Sequence, residues 1–468
     1  MIRGTFPVLV LLVLIATSGA SYASVALAHI QQAAYDIPKI VTSAPSLPLG
    51  LAKGSQRIVV VLVEFRDTAH SIDTNRVRDI LTIMNDFYSQ SSYGLLSLVA
   101  TVTDRWYQIQ TPLSRLDIQK WNYSKNDMDE FRREAINASD IDVDFGDYDY
   151  VYVVAAGRVW PNGFLTQVSP TNDGVSQLKL VVINEESDYR SYCHELGHLL
   201  PSNYKPWGFG LPDLYSYDAA QRGNDSSIWV GPWDIMDSGL EFSAWSKITL
   251  GWVVPENLTL DTATTHVINL QPLEKDSGPR VIIVGLNGTT SYAIEARRKT
   301  GSDWALPAEG VLIYLVDSSK NSGYGVLRVY DSKPNTSTLN DAPLGAGDTF
   351  EDPHEHIYVI VAETDSVGYT LIISGSKGLD TDGDGLSDWE EVRRYGTSPL
   401  RSDTDGDYWK DRMDPAPTNS LIPNLFITAI VILAAVSALA IRRHSSHSGN
   451  RGRAAYLVGQ QLSVVHLQ

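Results

Sequence analysis

Ser191-Tyr192-Cys193-His194-Glu195-Leu196-Gly197-His198-Leu199-Leu200 holds two histidines four residues apart, with a glutamate beside the first. The apolar spacing of Tyr192 to Leu200 after the polar run Asn184 to Asp188 predicts a helix. On a helix, i and i+4 share a face one turn apart, so both imidazoles can reach one tetrahedral ion and Glu195 stands beside it. Zinc held in this way lowers the pKa of a bound water toward about 7, and a nearby carboxylate can take its proton during attack on a carbonyl. His194 and His198 therefore read as zinc ligands and Glu195 as general base, a pattern that points to peptide hydrolysis. Structural zinc sites are closed by four protein ligands, whereas two ligands and a base suit an open, catalytic one. Cys193 lies about 100° around the helix from His194 and reads as a small buried residue.

Upstream of this helix, Ile58 to Val63 reads as a buried strand and Asn75 to Tyr88 as a helix, with further strands at Tyr148 to Ala155 and Leu178 to Ile183. That alternation predicts an α/β catalytic domain. Downstream of Trp252 the texture changes. Val267 to Leu270, Val281 to Val284, Val311 to Val316 and Tyr358 to Ala362 recur between Gly, Asp, Asn and Pro turns, as in an antiparallel β-sandwich. The boundary falls near Pro255.

After the sandwich the chain turns to Asp, Gly and Thr and repeats one pattern twice. Asp380, Asp382, Asp384, Asp388 and Glu391, with Gly385 at position six and the Leu386 carbonyl at seven, fill every place of a twelve-residue calcium loop. Asp403, Asp405, Asp407, Asp411 and Asp414, with the Trp409 carbonyl, repeat it with Tyr408 in place of the glycine and a shorter last acid. Both copies, the second more readily than the first, also read as a solvated acidic linker.

The chain of 468 residues is long enough for more than one domain. Its 55 acids against 37 bases give a formal charge of -18, which repels phosphate backbones, so nucleic acid is not expected as a partner. With Cys193 the single cysteine, no intramolecular disulfide and no Cys-rich zinc module can form. Arg3, the apolar run from Phe6 to Ile15 and the small residues after it predict a secretory signal. Leu425 to Ile441 carries no charge and precedes Arg442-Arg443, which predicts a membrane anchor with a cytoplasmic tail. Sequons at Asn122, Asn137, Asn224, Asn257, Asn287 and Asn335 all lie between the two, as expected of an exported glycoprotein. The expected order is a signal peptide over 1–28, a linker or short pro-segment over 29–54, and a zinc metallopeptidase domain over 55–255. A β-sandwich over 256–376, a calcium-binding stalk over 377–418, a transmembrane helix over 423–441 and a cytoplasmic tail over 442–468 follow.

Asn85 to Leu95, His194 to Leu200, Gly210-Leu211-Pro212-Asp213-Leu214-Tyr215 and Gly231-Pro232-Trp233-Asp234-Ile235-Met236-Asp237-Ser238-Gly239 resemble, in the same order, the immune inhibitor A family of secreted zinc metallopeptidases. Ser243 to Lys247 with Leu250-Gly251-Trp252, and Tyr292 to Arg297 with Pro307 to Asp317, resemble that family's domain junction and following β module. The likeness spans about residues 55 to 375. It implies a metzincin-like catalytic domain with Met236 in a tight turn beneath the zinc and Asp213 as third ligand. The chain departs from the family in one place, where Pro201 to Phe209 are inserted before Gly210. Glu241 is the rival third ligand, because other H-E-x-x-H enzymes draw it from a later helix, and Asp218 and Asp237 are weaker candidates. Tyr204-Lys205-Pro206-Trp207 is placed to line the cleft, and Tyr215 and Tyr217 either donate to an oxyanion or pack. The acidic repeats resemble thrombospondin type 3 and dockerin-like calcium modules.

The expected function is that of a membrane-anchored, cell-surface zinc endopeptidase acting on protein or peptide substrates, with zinc and calcium as cofactors. The competing expectation is a calcium-dependent adhesion or binding protein with a degenerate peptidase fold.

Overall fold

β1 (Gly54–Phe65) shows why its central run is apolar throughout rather than alternating. Ile58, Val60 and Leu62 enter one core while Val59, Val61 and Val63 enter another on the opposite face. Strands buried on both faces are typical of parallel sheets covered by helices on each side. β1 pairs in parallel with β2 (Leu96–Ile109) and β3 (Tyr150–Ala155), and β3 with β5 (Gln177–Asn184). β4 (Asn162–Gln167) closes the edge antiparallel to β5, giving the order β2-β1-β3-β5-β4. Helix α1 (Thr74–Ser91) covers the first face through Val77, Ile80, Leu81, Met84 and Phe87. Helix α2 (Lys125–Ser139) covers the second through Met128, Phe131, Ala135 and Ile136.

The structure is a computed structural model and describes residues 51–167, 171–204, 210–217, 229–422, 425 and 427–443. The signal expected over 1–28, the linker up to residue 50 and the tail from 444 onward lie outside the described residues.

After a short helix α3 (Tyr189–Gly197) and a second, α4 (Ala244–Thr249), the chain builds two more sheets. Strands β6 (Glu256–Leu258), β8 (Val281–Gly285), β9 (Thr290–Arg297), β10 (Gly310–Asp317) and β11 (Leu327–Val329) form one, in the order β11-β10-β9-β8-β6. The other runs β12-β13-β14-β7, from Thr349–Asp352, Ile357–Thr364, Tyr369–Ser374 and Thr265–Leu270 respectively. Ile294, Val311 and Ile313 meet Val359, Val361, Leu371 and Ile373 in the core between these sheets. The outer face of the first is buried too. Ala293, Leu312, Tyr314 and Val316 join the same core as α1, β1 and α3, so one apolar core crosses the boundary near Pro255.

A buried polar network seals that contact. The Ala244 amide and the Tyr314 hydroxyl donate to Glu295 Oε2 at 2.5 and 2.7 Å. Arg297 donates to Glu295, to Asp303 and to the Trp233 carbonyl. Satisfied on all sides, a buried arginine of this kind holds one arrangement of its surroundings.

The expected C-terminal anchor is corrected. Among the described residues no helix is long and apolar enough to cross a membrane. The transmembrane helix over 423–441 and the single-pass cell-surface placement that rested on it are not supported. Among the described residues the fold is mixed α/β, with three sheets and few helices.

Candidate metal centre

α3 starts where β5 ends. Asp188 caps it, its carboxylate accepting from the amides of Arg190 and Ser191. Tyr192, Cys193 and Leu196 face the core, and this fixes which side of the helix the two histidines occupy. Burial pushes the Cys193 thiol up, and its carbonyl accepts from the Tyr88 hydroxyl at 2.6 Å.

His194 Nδ1 lies 2.9 Å from the Ile235 carbonyl and His198 Nδ1 lies 2.8 Å from the Leu211 carbonyl. Each carbonyl can only accept, so Nδ1 carries a proton on both rings and Nε2 is the atom left to bind a metal once its own proton is displaced. Both Nε2 atoms converge on Asp213 Oδ1, at 3.0 Å from His194 and 3.3 Å from His198. The three side chains form a group whose ligand atoms lie within 4.8 Å of one another. Two imidazole nitrogens and a carboxylate suit zinc. All three are nearly enclosed, and Glu195, beside His194, is 7% exposed.

The charges at the site are strongly coupled. Burial lowers the His194 pKa, but the Asp213 hydrogen bond and the carboxylates around it carry it up to about 9. Burial opposes ionisation of Asp213 as well, yet the two histidines hold it well below the usual carboxylate range. Burial raises Glu195, while His194 and His198 pull it back down. A divalent cation among these groups would replace the protons that the histidines hold.

The insertion does not displace Asp213. Gly210 has φ +68 and lies so close to the His198 carbonyl that a Cβ there would overlap it. The Leu211 amide donates to the Gly197 carbonyl at 2.8 Å, which returns the chain alongside the end of α3. Met236 lies under the motif, since a Cβ on Gly197 would meet its Sδ at 2.7 Å. The turn around Met236 is organised by the fully buried Asp234, which accepts from the Met236 and Ser243 amides and the Ser246 hydroxyl.

The rival ligands point elsewhere. Glu241 accepts from the Ser91 hydroxyl at 2.9 Å and pairs with Lys247 at 3.5 Å, inside the core. Asp237 accepts from the Gly231 amide, and Asp218 lies outside the described residues. Tyr204 is buried, with its hydroxyl on the Lys320 carbonyl and its ring against Trp245, so it packs rather than lining a cleft. Residues 205–207 lie outside the described residues. The Tyr215 ring lies beside His194, with centroids 6.3 Å apart, and the Tyr217 hydroxyl donates to Asp213 Oδ2. Sequence reading missed Ser322, which also binds Asp213. A serine between Asn321 and Gly323, distant in sequence, carries only a turn signal.

In the acidic segment, Asp380, Asp382 and Asp384 form one carboxylate group and Asp403, Asp405 and Asp407 another. Asp388 and Asp411 turn aside, each closing its own loop on Thr381 or Thr404 through both oxygens. Glu391 and Asp414, at position twelve, each keep one buried oxygen without a hydrogen-bond partner, as do Asp382, Asp405 and Asp407. Tyr408 takes φ 77 where the first loop has Gly385 at φ 103, so a bulky residue adopts the left-handed turn of the missing glycine. The copies bind each other, the Arg412 amide donating to Asp384 at 3.0 Å and Lys410 to the Gly383 carbonyl at 2.7 Å. Trp389 packs on Tyr358 of β13, and Arg401 pairs with Glu363.

No family model matches the chain, and no curated protein matches it.

Proposed function

We propose that this chain is a zinc-dependent endopeptidase acting on protein or peptide substrates. The observation that carries the reading is the convergence of His194 Nε2, His198 Nε2 and Asp213 Oδ1, with both Nδ1 atoms tied to backbone carbonyls. Bound at these residues, zinc would polarise a substrate carbonyl and make water a nucleophile near neutral pH. The Ile235 and Leu211 carbonyls hold the imidazoles in one tautomer and one orientation. Glu195 accepts the proton of the attacking water and returns it to the departing amine nitrogen, a general-base and then general-acid role. β4 is an edge strand, and Gly163 on it packs directly against the Glu195 backbone. Among the described residues no strand pairs with its outer side, which offers an extended peptide a place to pair beside the base.

In the same reading the two acidic loops hold calcium, a hard cation that takes oxygen ligands. The unpartnered oxygens of Asp382, Glu391, Asp405, Asp407 and Asp414 support it.

The test is casein hydrolysis with and without a zinc chelator, alongside elemental analysis, on the unaltered chain and on Glu195→Gln. The substitution should keep stoichiometric zinc and lose nearly all turnover, by at least about 100-fold. Turnover unaffected by the chelator, or unchanged in Glu195→Gln, overturns the reading.

A further inference from the structure

We propose that Ser322 and Gly323, on the connection between β10 and β11, are positioning residues for the metal centre, so that Asp213 is set in place by the β module. This rests on the zinc reading above.

Asp213 lies on a stretch, Gly210 to Ser216, that is neither helix nor strand, so no regular ladder fixes it. Its backbone amide and carbonyl are held by residues more than a hundred positions later. Its amide donates to Ser322 Oγ at 2.8 Å, and its carbonyl accepts from the Gly323 amide at 3.0 Å. Ser322 Oγ also donates to Asp213 Oδ2 at 3.1 Å, and the Tyr217 hydroxyl donates to the same oxygen. A hydroxyl has one proton and two lone pairs, so Ser322 can accept from the backbone and donate to the carboxylate at once. With Oδ2 occupied in this way, Oδ1 is the oxygen that faces both histidines.

Tyr217 is held by the same loop. Its amide donates to the Gly323 carbonyl at 3.0 Å, and its hydroxyl lies 3.2 Å from Ser322 Oγ. Gly323 has φ +75, and a Cβ there would run into the Tyr217 ring. The loop is in turn anchored where the Tyr204 hydroxyl donates to the Lys320 carbonyl, and Ser322 is 2% exposed. Because the Glu295 and Arg297 network and the shared core fix the sheet that carries this loop, the β module has no freedom to leave without taking the support of Asp213 with it.

Groups that orient a metal ligand typically change affinity 10- to 100-fold when removed. The experiment titrates zinc against a chromophoric chelator on the full chain, for the unaltered protein, Ser322→Ala, Ser322→Thr, Tyr217→Phe and the control Ser139→Ala. Ser139 is also fully buried, but its hydroxyl bonds only within α2. Ser322→Ala and Tyr217→Phe should each weaken zinc about tenfold, Ser322→Thr should recover most of the loss, and Ser139→Ala should leave affinity unchanged. Tyr217→Phe removes one hydroxyl and carries the test alone if Ser322→Ala does not fold. Affinities of Ser322→Ala and Tyr217→Phe equal to that of the unaltered chain overturn this inference and leave the zinc reading standing. Failure of the unaltered chain to bind zinc overturns both.

Discussion

The Gly210 amide donates to the Leu200 carbonyl across 2.9 Å, closing the neck of the segment inserted between the second histidine and Asp213. The Ser202 hydroxyl reinforces it on the Gly210 carbonyl at 2.6 Å. Because residues 200 and 210 meet, the chain continues from Gly210 alongside the end of α3. The His198 ring then finds the Leu211 carbonyl, and Asp213 reaches the histidines.

Gly210→Ala should therefore damage the metal centre although residue 210 touches no ligand side chain. A left-handed conformation costs a residue with a Cβ about 1–2 kcal/mol, and here the methyl also overlaps the His198 carbonyl. Expected outcomes are a lower melting temperature and weaker zinc binding, read by calorimetry and chelator competition. An alanine variant with unaltered zinc affinity would show that the neck does not set the position of Asp213.

Asp213 and Glu241 should separate metal binding from stability. Asp213→Ala removes one of three converging groups and should abolish tight zinc binding. Glu241→Ala leaves Lys247, 2% exposed and 3.5 Å from Glu241, buried without its counter-charge. Breaking a buried pair costs about 3–5 kcal/mol, so this variant should unfold at lower denaturant while its folded fraction still binds zinc. The opposite ranking of zinc affinities would move the third ligand to Glu241.

What was legible in the sequence is what depends on local spacing. Two histidines one helical turn apart share a face whatever surrounds them, and an apolar run such as Ile58 to Val63 has few alternatives to a buried strand. β2 and β4 gave no such signal. β2 buries only Leu96, Leu98, Thr103, Tyr107 and Ile109, with no steady period, and β4 holds Asn162, Gly163 and Thr166. Long-range partners were illegible for a different reason. Ser322 is 109 positions from Asp213, and Glu295 is 51 from the amide that it receives, so only the folded topology brings them together. The apolar run before Arg442 misled because hydropathy alone does not fix the length of the helix that carries it.

Glu274 should make stability fall with rising pH. It lies 3.6 Å from Arg297, yet burial and the neighbouring Asp303 push its carboxyl up to about 10. The folded chain therefore keeps a proton that the unfolded chain releases above about pH 4.5. The stabilisation is complete below that point and is lost progressively as pH approaches 10. Glu274→Gln, which cannot titrate, should remove this slope and melt no lower than the unaltered chain at pH 8. A variant that melts well below it at pH 8 would mean that Glu274 is ionised and paired with Arg297.

The acidic loops should show the reverse coupling once calcium is present. In the ion-free chain, burial raises Asp382 to about 6, and burial together with the Asp382 charge raises Glu391 to about 8. Both sit above their unfolded values, so the ion-free segment holds extra protons and loses stability as pH climbs through 6 and then 8. Calcium must displace those protons, so its affinity should rise over the same interval and binding should release protons. Calorimetry in two buffers of different ionisation enthalpy counts them. Asp384→Ala should weaken binding, because Asp384 belongs to the first carboxylate group and also holds the second copy through the Arg412 amide. At pH 8, removing calcium should open 377–418 to proteolysis while casein hydrolysis continues, since imidazole-rich and all-oxygen sites select different metals. Calcium affinity that does not change between pH 5.5 and pH 8.5, or cleavage of 377–418 unaffected by calcium, would return the segment to an acidic surface with no ion to hold.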